Sequence, residues 1–155
     1  KVPYIVVPSA SALTAKPWSF GSASRPDIAL VIQNETGGRT RGVFAVVADT
    51  GPAGEVGEGS PALLARLRGL PKEQLEAERP SVGALPSRPF SSKATYILFR
   101  DSGKFLHDVW PQGDLSAAAV SRAGQKALAD AGGLSRFGDC AGLPRATNTI
   151  ELIND

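Results

Sequence analysis

The chain is divided into short apolar runs, most of them rich in β-branched residues and too short for a helix of ordinary length. Residues 2–7 (VPYIVV), 28–33 (IALVIQ), 43–48 (VFAVVA) and 94–99 (ATYILF) are each followed closely by Pro, Asn, Asp or Gly. Such runs read as strands, the first of them as a buried one. Asp101-Ser102-Gly103-Lys104 reads as a turn, with residues 105–109 as its return strand. Residues 147–153 (TNTIELI) read as a closing strand. Six short strands, with Gly and Pro making up about a sixth of the chain, predict tight turns rather than disorder.

Helical signals are fewer. Ser60-Pro61 is an N-cap followed by proline at the first helical position. Leu63, Leu64 and Leu67 give that helix one apolar face, and Gly69 ends it. Residues 71–78 read as a further helical turn or two. Residues 114–131 place Ala117, Val120, Ala127, Leu128 and Ala131 near helical spacing, and Gly132-Gly133 is the stop. Residues 9–26 read as a loop and 34–42 as a hairpin connection. The fold class expected is mainly β with a few helices (α+β). A small six-stranded barrel would remove the edges of so many short strands.

With 155 residues and no linker or internal repeat, residues 1–155 read as a single domain that can bury a core of its own. The one cysteine, Cys140, allows no intrachain disulfide. No apolar run reaches the roughly 18 residues of a membrane helix. No signal peptide is visible, and the chain opens directly on an apolar strand, as a mature form or a domain of a longer chain does. Seventeen basic and fifteen acidic residues, scattered and without aromatic interleaving, do not make a nucleic-acid surface.

The segment AVVADTGPAGEVGEGSPALLARL carries the chemistry. Asp49 follows an apolar strand, and a glycine-rich loop leads to Glu58, just ahead of the helix opened by Ser60. Glycosidic bond cleavage needs two carboxyl groups in one cleft, one giving a proton to the leaving oxygen and one acting on water or sugar. Glu55 is the other carboxylate of the loop. The same residues also read as a polar turn, with Glu58 favouring the helix N-terminus electrostatically. From the residues alone both readings stand.

Asp49-Thr50-Gly51-Pro52, followed by Gly57-Glu58-Gly59-Ser60 opening a helix, resembles the catalytic core of the fungal-type chitosanases, glycoside hydrolase family 75. VPYIVVP, GVFAVVAD and ATYILF resemble strands of that family. The likeness runs over about residues 2–99 and is strongest over 42–67. It implies a chitosanase-like, inverting endo-hydrolase of β-1,4-linked amino-sugar polymers, on a six-stranded barrel of the double-psi type. It implies Asp49 and Glu58 as the catalytic pair, with Glu58 as acid and Asp49 as base. The substrate-binding candidates are Thr50, Glu55, His107 and Trp110. No metal or other cofactor is expected. The expected partner is a polysaccharide, chitosan or peptidoglycan glycan, met by a secreted or periplasmic monomer. An inhibitor or immunity protein would join it were the chain a toxin domain.

Two features depart from the family. Its aspartate-rich stretch ahead of the first strand is not in this sequence. Chitosan is a polycation and prefers an acidic cleft, whereas Arg39, Arg41, Arg66 and Arg68 bracket the motif. A basic rim fits an acidic glycan such as peptidoglycan, cleaved by a hydrolase or by a lytic transglycosylase. A non-catalytic glycan-binding module is the third reading. His107 also reads as a structural or surface histidine, and Cys140 as a structural thiol. Trp18, Trp110, Tyr4 and Tyr96 read as core first, the two tryptophans as sugar platforms second. Ser60 reads as a cap and not a nucleophile, since no Gly-x-Ser-x-Gly elbow exists.

Overall fold

The structure, a computed structural model, describes residues 2–8, 26–34, 40–51, 59–69, 94–109, 113, 115–138 and 150–154. Five strands make one mixed sheet: β1 (Tyr4–Pro8), β2 (Ile28–Asn34), β3 (Thr40–Gly51), β4 (Ala94–Phe99) and β5 (Ile150–Ile153). β2 lies antiparallel between β3 and β4. The other edge of β3 is shared by two parallel strands set end to end. β5 runs beside Thr40 to Val43, and β1 takes over from Val46 to Gly51. β1, β3 and β4 therefore all point their C-terminal ends the same way.

The sheet buries both faces. On one, Leu30, Ile32, Phe44, Val46, Ile97 and Phe99 pack with Val120, Ala123, Ala127 and Leu128 of α2 (Ala117–Asp130). On the other, Ile5, Val7, Ala29, Val31, Val43, Ala45 and Val47 pack with Leu63 and Leu67 of α1 (Pro61–Leu67). Burial on two faces explains why β2 and β3 read as continuous apolar runs instead of alternating ones. Ser116 caps α2 by accepting from the Ala119 amide at 3.1 Å. Gly132 and Gly133, at φ 92° and 79°, end it in backbone that other residues adopt only under strain.

The fold is α+β, and the barrel expected from the sequence is corrected. The described strands form an open sheet of five, because the sixth is not a strand. Residues 105–109, expected as a return strand, are not extended: Phe105 and Leu106 finish a 3-10 helix, η1 (Ser102–Leu106), and residues 107–109 are turn. The buried Ser102 hydroxyl donates to the Phe99 carbonyl and accepts from the Ile28 amide at 2.7 Å. The Gly103 amide donates to the Asp27 carboxylate at 3.4 Å. The turn is thus fastened to the start of β2, and the chain drops onto α2 instead of pairing with β4. Helices cover both faces of this sheet, so its core is buried without closure.

Other expectations move by a few residues. β3 runs from Thr40 to Gly51, well beyond 43–48 at both ends, and the closing strand is shorter than 147–153. β4 spans 94–99 as read. Ser60, Pro61 and Gly69 bound α1 as read. Residues 71–78 lie outside the described residues.

α2 approaches β3 most closely at Gly124, where an added Cβ would run into the Phe44 ring. Gly124→Ala is expected to lower stability by about 1–3 kcal/mol, although alanine favours an exposed helix by about 1 kcal/mol. Urea denaturation checks the sign. Burial pushes the Tyr96 phenol above its ordinary value of 10.0. The folded protein thus holds that proton where the unfolded chain has lost it, and stability falls as pH rises past about 10. Tyr96→Phe is expected to flatten this fall, measured as the difference in urea midpoint between pH 9 and pH 11.

Candidate functional site

Asp49 stands near the C-terminal end of β3, and its position is set by an irregularity. Tyr4 pairs with Val46 and Ile5 with Val47, but Val6 pairs with Asp49, so the ladder skips Ala48. Strict alternation would carry residue 49 to the same face as Val43, Ala45 and Val47, the apolar face covered by α1. The bulge reverses this. Asp49 comes into register with Val6, whose neighbours Ile5 and Val7 are the residues buried under α1. The aspartate is exposed. Bulges of this kind re-aim side chains at strand ends.

The chain returns to the same place after its loop. Gly59 bridges antiparallel to Ile5, on the edge of β1 away from β3. Ser60 then holds three strangers together. Its hydroxyl accepts from the Tyr4 amide at 3.0 Å and from the Leu63 amide at 3.1 Å, and donates to the Val2 carbonyl at 3.3 Å. Its own amide donates to the Tyr4 carbonyl at 2.9 Å. The residue read as a helix cap is also the clamp on β1. The backbones of Asp49 and Gly59 flank β1 in adjacent rows, two strand spacings or roughly 10 Å apart.

Of the other residues singled out from the sequence, Thr50 continues β3 opposite Val7. His107 is exposed and follows η1, its amide donating to the Lys104 carbonyl at 3.4 Å. η1 starts at the sheet end to which β3 points, but two strands away from it. Glu55, Glu58, Trp18, Trp110 and Cys140 lie outside the described residues. Tyr4 is corrected: it is not core but 39 % exposed. Among the described residues no three His, Cys, Asp or Glu side chains gather as a metal site would need. No described helix is long and apolar enough to cross a membrane.

Of the basic rim expected from Arg39, Arg41, Arg66 and Arg68, Arg68 is exposed just past α1, whereas Arg41 and Arg66 are engaged elsewhere. Arg41 lies eight residues down β3 from Asp49, roughly 26 Å along the strand. There it pairs with Glu151 at 3.5 Å and donates to the Leu67 carbonyl at 3.4 Å. Arg66 is buried and donates to Ala62 within α1. Arg39 lies outside the described residues. Sequence reading missed a different group of cations. Arg100, Lys104 and Arg136 border an open cleft of about 430 Å³, floored by Phe99, Phe105 and Phe137. It lies between η1, α2 and the second 3-10 helix η2 (Leu134–Phe137), on the α2 face, at the sheet end that bears Asp49. Asp130 joins the same wall and pairs with Lys104 at 3.3 Å. Arg136 comes 32 residues after Lys104, so no local pattern joins it to Arg100 and Lys104.

No protein-family model matches the chain, and no curated protein matches it.

Replacing Ser60 by alanine removes the partner of two backbone amides, Tyr4 and Leu63, in a residue only 2 % exposed. Ser60→Ala is expected to cost about 2 kcal/mol. Equilibrium denaturation measures it, and hydrogen exchange at Tyr4 should speed up with it.

Proposed function

We propose that the protein is a glycoside hydrolase acting on an amino-sugar polysaccharide, with Asp49 and Glu58 as its carboxyl pair. The observation that carries this reading is the β1–β3 bulge, which turns Asp49 away from an apolar face and leaves it exposed beside Val6. A polar turn needs no such device. Glu58 is bonded directly to Gly59, and Gly59 is pinned beside Ile5. Of the two, only Gly59 is among the described residues, and it stands across β1 from Asp49. Backbones roughly 10 Å apart suit carboxyl groups about 6.5–9.5 Å apart, the spacing that leaves room for the water of an inverting reaction.

In this scheme Glu58 gives its proton to the glycosidic oxygen as the bond to the anomeric carbon breaks. Asp49 takes a proton from the water that attacks the opposite face of the sugar. The scheme does not need the double-psi barrel of the resembled family to close. It needs only the rigid β3–β1–Gly59 row. The resemblance of Asp49-Thr50-Gly51-Pro52 and Gly57-Glu58 to the catalytic core of the fungal-type chitosanases supports a chitosan-type substrate. The cleft bordered by Arg100, Lys104 and Arg136 favours a second reading, an acidic glycan such as the peptidoglycan strand. Secreted or periplasmic placement goes with either substrate, and an immunity protein with the antibacterial version of the second.

Glu58→Gln and Asp49→Asn are each expected to lower the rate by ~10²- to 10⁴-fold on the glycan that the wild type cleaves. Product masses measured on chitosan and on peptidoglycan separate the readings. Products one water heavier than the bond cleaved mean hydrolysis, and anhydro-sugar ends mean transglycosylation. Either variant retaining activity within about threefold of wild type would remove that residue from the mechanism.

A further inference from the structure

We infer that Tyr4 is a sugar-stacking residue of the site that Asp49 marks; this rests on the glycan-cleaving reading above. Tyr4 is the one large apolar side chain exposed among the described residues. Its exposure is not that of a loose end. The Tyr4 backbone is bonded through both its amide and its carbonyl to the buried Ser60, and it pairs with Val46 in the centre of β3. A side chain carried on so constrained a backbone presents its ring with little entropy left to lose on binding.

The face is the same one. Ile5 and Val7 are buried under α1, so alternation sends Tyr4 and Val6 to the opposite side of β1. Asp49 is the register partner of Val6. Tyr4 and the Val6–Asp49 row are therefore two residues apart on one face, roughly 6.6 Å along the strand. That separation is on the scale of one pyranose unit. A sugar ring stacked on Tyr4 would leave a neighbouring glycosidic bond at the carboxylate. The tyrosine ring has an electron-rich face that attracts the polarised C–H groups of a pyranose, and more strongly the ammonium of a glucosamine. An exposed tyrosine also arises simply because strands favour aromatic residues, and the experiment separates the two.

Tyr4→Val keeps strand preference and removes the ring; Tyr4→Phe and Tyr4→Trp keep a ring. Each is assayed, after a check of folding by thermal denaturation, on whichever of chitosan and peptidoglycan the wild type cleaves. Tyr4→Val is expected to raise KM roughly five- to tenfold with kcat changed by less than about twofold, while Phe and Trp stay near wild type. Unchanged KM in Tyr4→Val overturns the inference, as does an equal rise in Tyr4→Phe and Tyr4→Trp. If Tyr4→Val does not fold, Tyr4→Thr takes its place. If the wild type cleaves neither polymer, the hydrolase reading fails on its own. Titration with glucosamine hexamer and with peptide-free peptidoglycan strands, followed by NMR of the Tyr4 resonances, then decides the inference. Shifts at Tyr4 and at its neighbours Ile5, Val6 and Val46, with those of the neighbours lost in Tyr4→Val, support it, and their absence in the wild type or their persistence in Tyr4→Val overturns it.

Discussion

The described structure depends on β3. This one strand is hydrogen-bonded along one edge to β2 and along the other to β5 and then β1. Its odd residues face α1 and its even residues face α2, as far as Val47. The buried side chains of the two helices belong to two clusters, one on each face of the sheet, and β3 contributes residues to both. Twelve residues in one strand cannot be relocated without unpairing three others, so what β3 carries at its end is held as firmly as the core itself.

What it carries is a local departure from regularity. The skipped residue at Ala48 does not weaken the core, because Val47 is the last β3 residue of the buried apolar set. Beyond it the strand continues on a shifted register, with a carboxylate where a regular strand would have needed another apolar residue. Gly59 and Ser60 close the far side of β1 and so fix the second approach to the same row. The described residues on either side of positions 52–58 are hydrogen-bonded to β1, so the placement of Asp49 is a product of backbone pairing.

Charge tells a related story. Arginines close to Asp49 in sequence have structural employment: Arg41 joins β5 and the end of α1, and Arg66 is buried in its own helix. The cations that share the Asp49 end of the sheet come from residues after β4, after η1 begins and after α2 ends. Counting charges near a motif along the chain therefore does not tell which residues share its place in the fold. A strand carries its neighbours away by about 3.3 Å per residue, and sequence proximity to a site is lost within a few steps.

The sequence by itself determined the elements whose signals are local. The β-branched runs of β2, β3 and β4, the Ser60-Pro61 start of α1 and the Gly132-Gly133 stop of α2 follow from propensity, capping and backbone freedom. It also singled out Asp49. Only the tertiary structure decided that residues 102–106 form a 3-10 turn and not a strand, because that choice rests on Ser102 meeting Ile28 across 74 positions of chain and on Gly103 meeting Asp27 across 76. Only it decided that the sheet stays open, that Tyr4 faces outward, and that a bulge presents Asp49 away from the α1 face. Each of these is set by which strand lies beside which, and pairing partners brought together by folding leave no periodic trace in either segment alone.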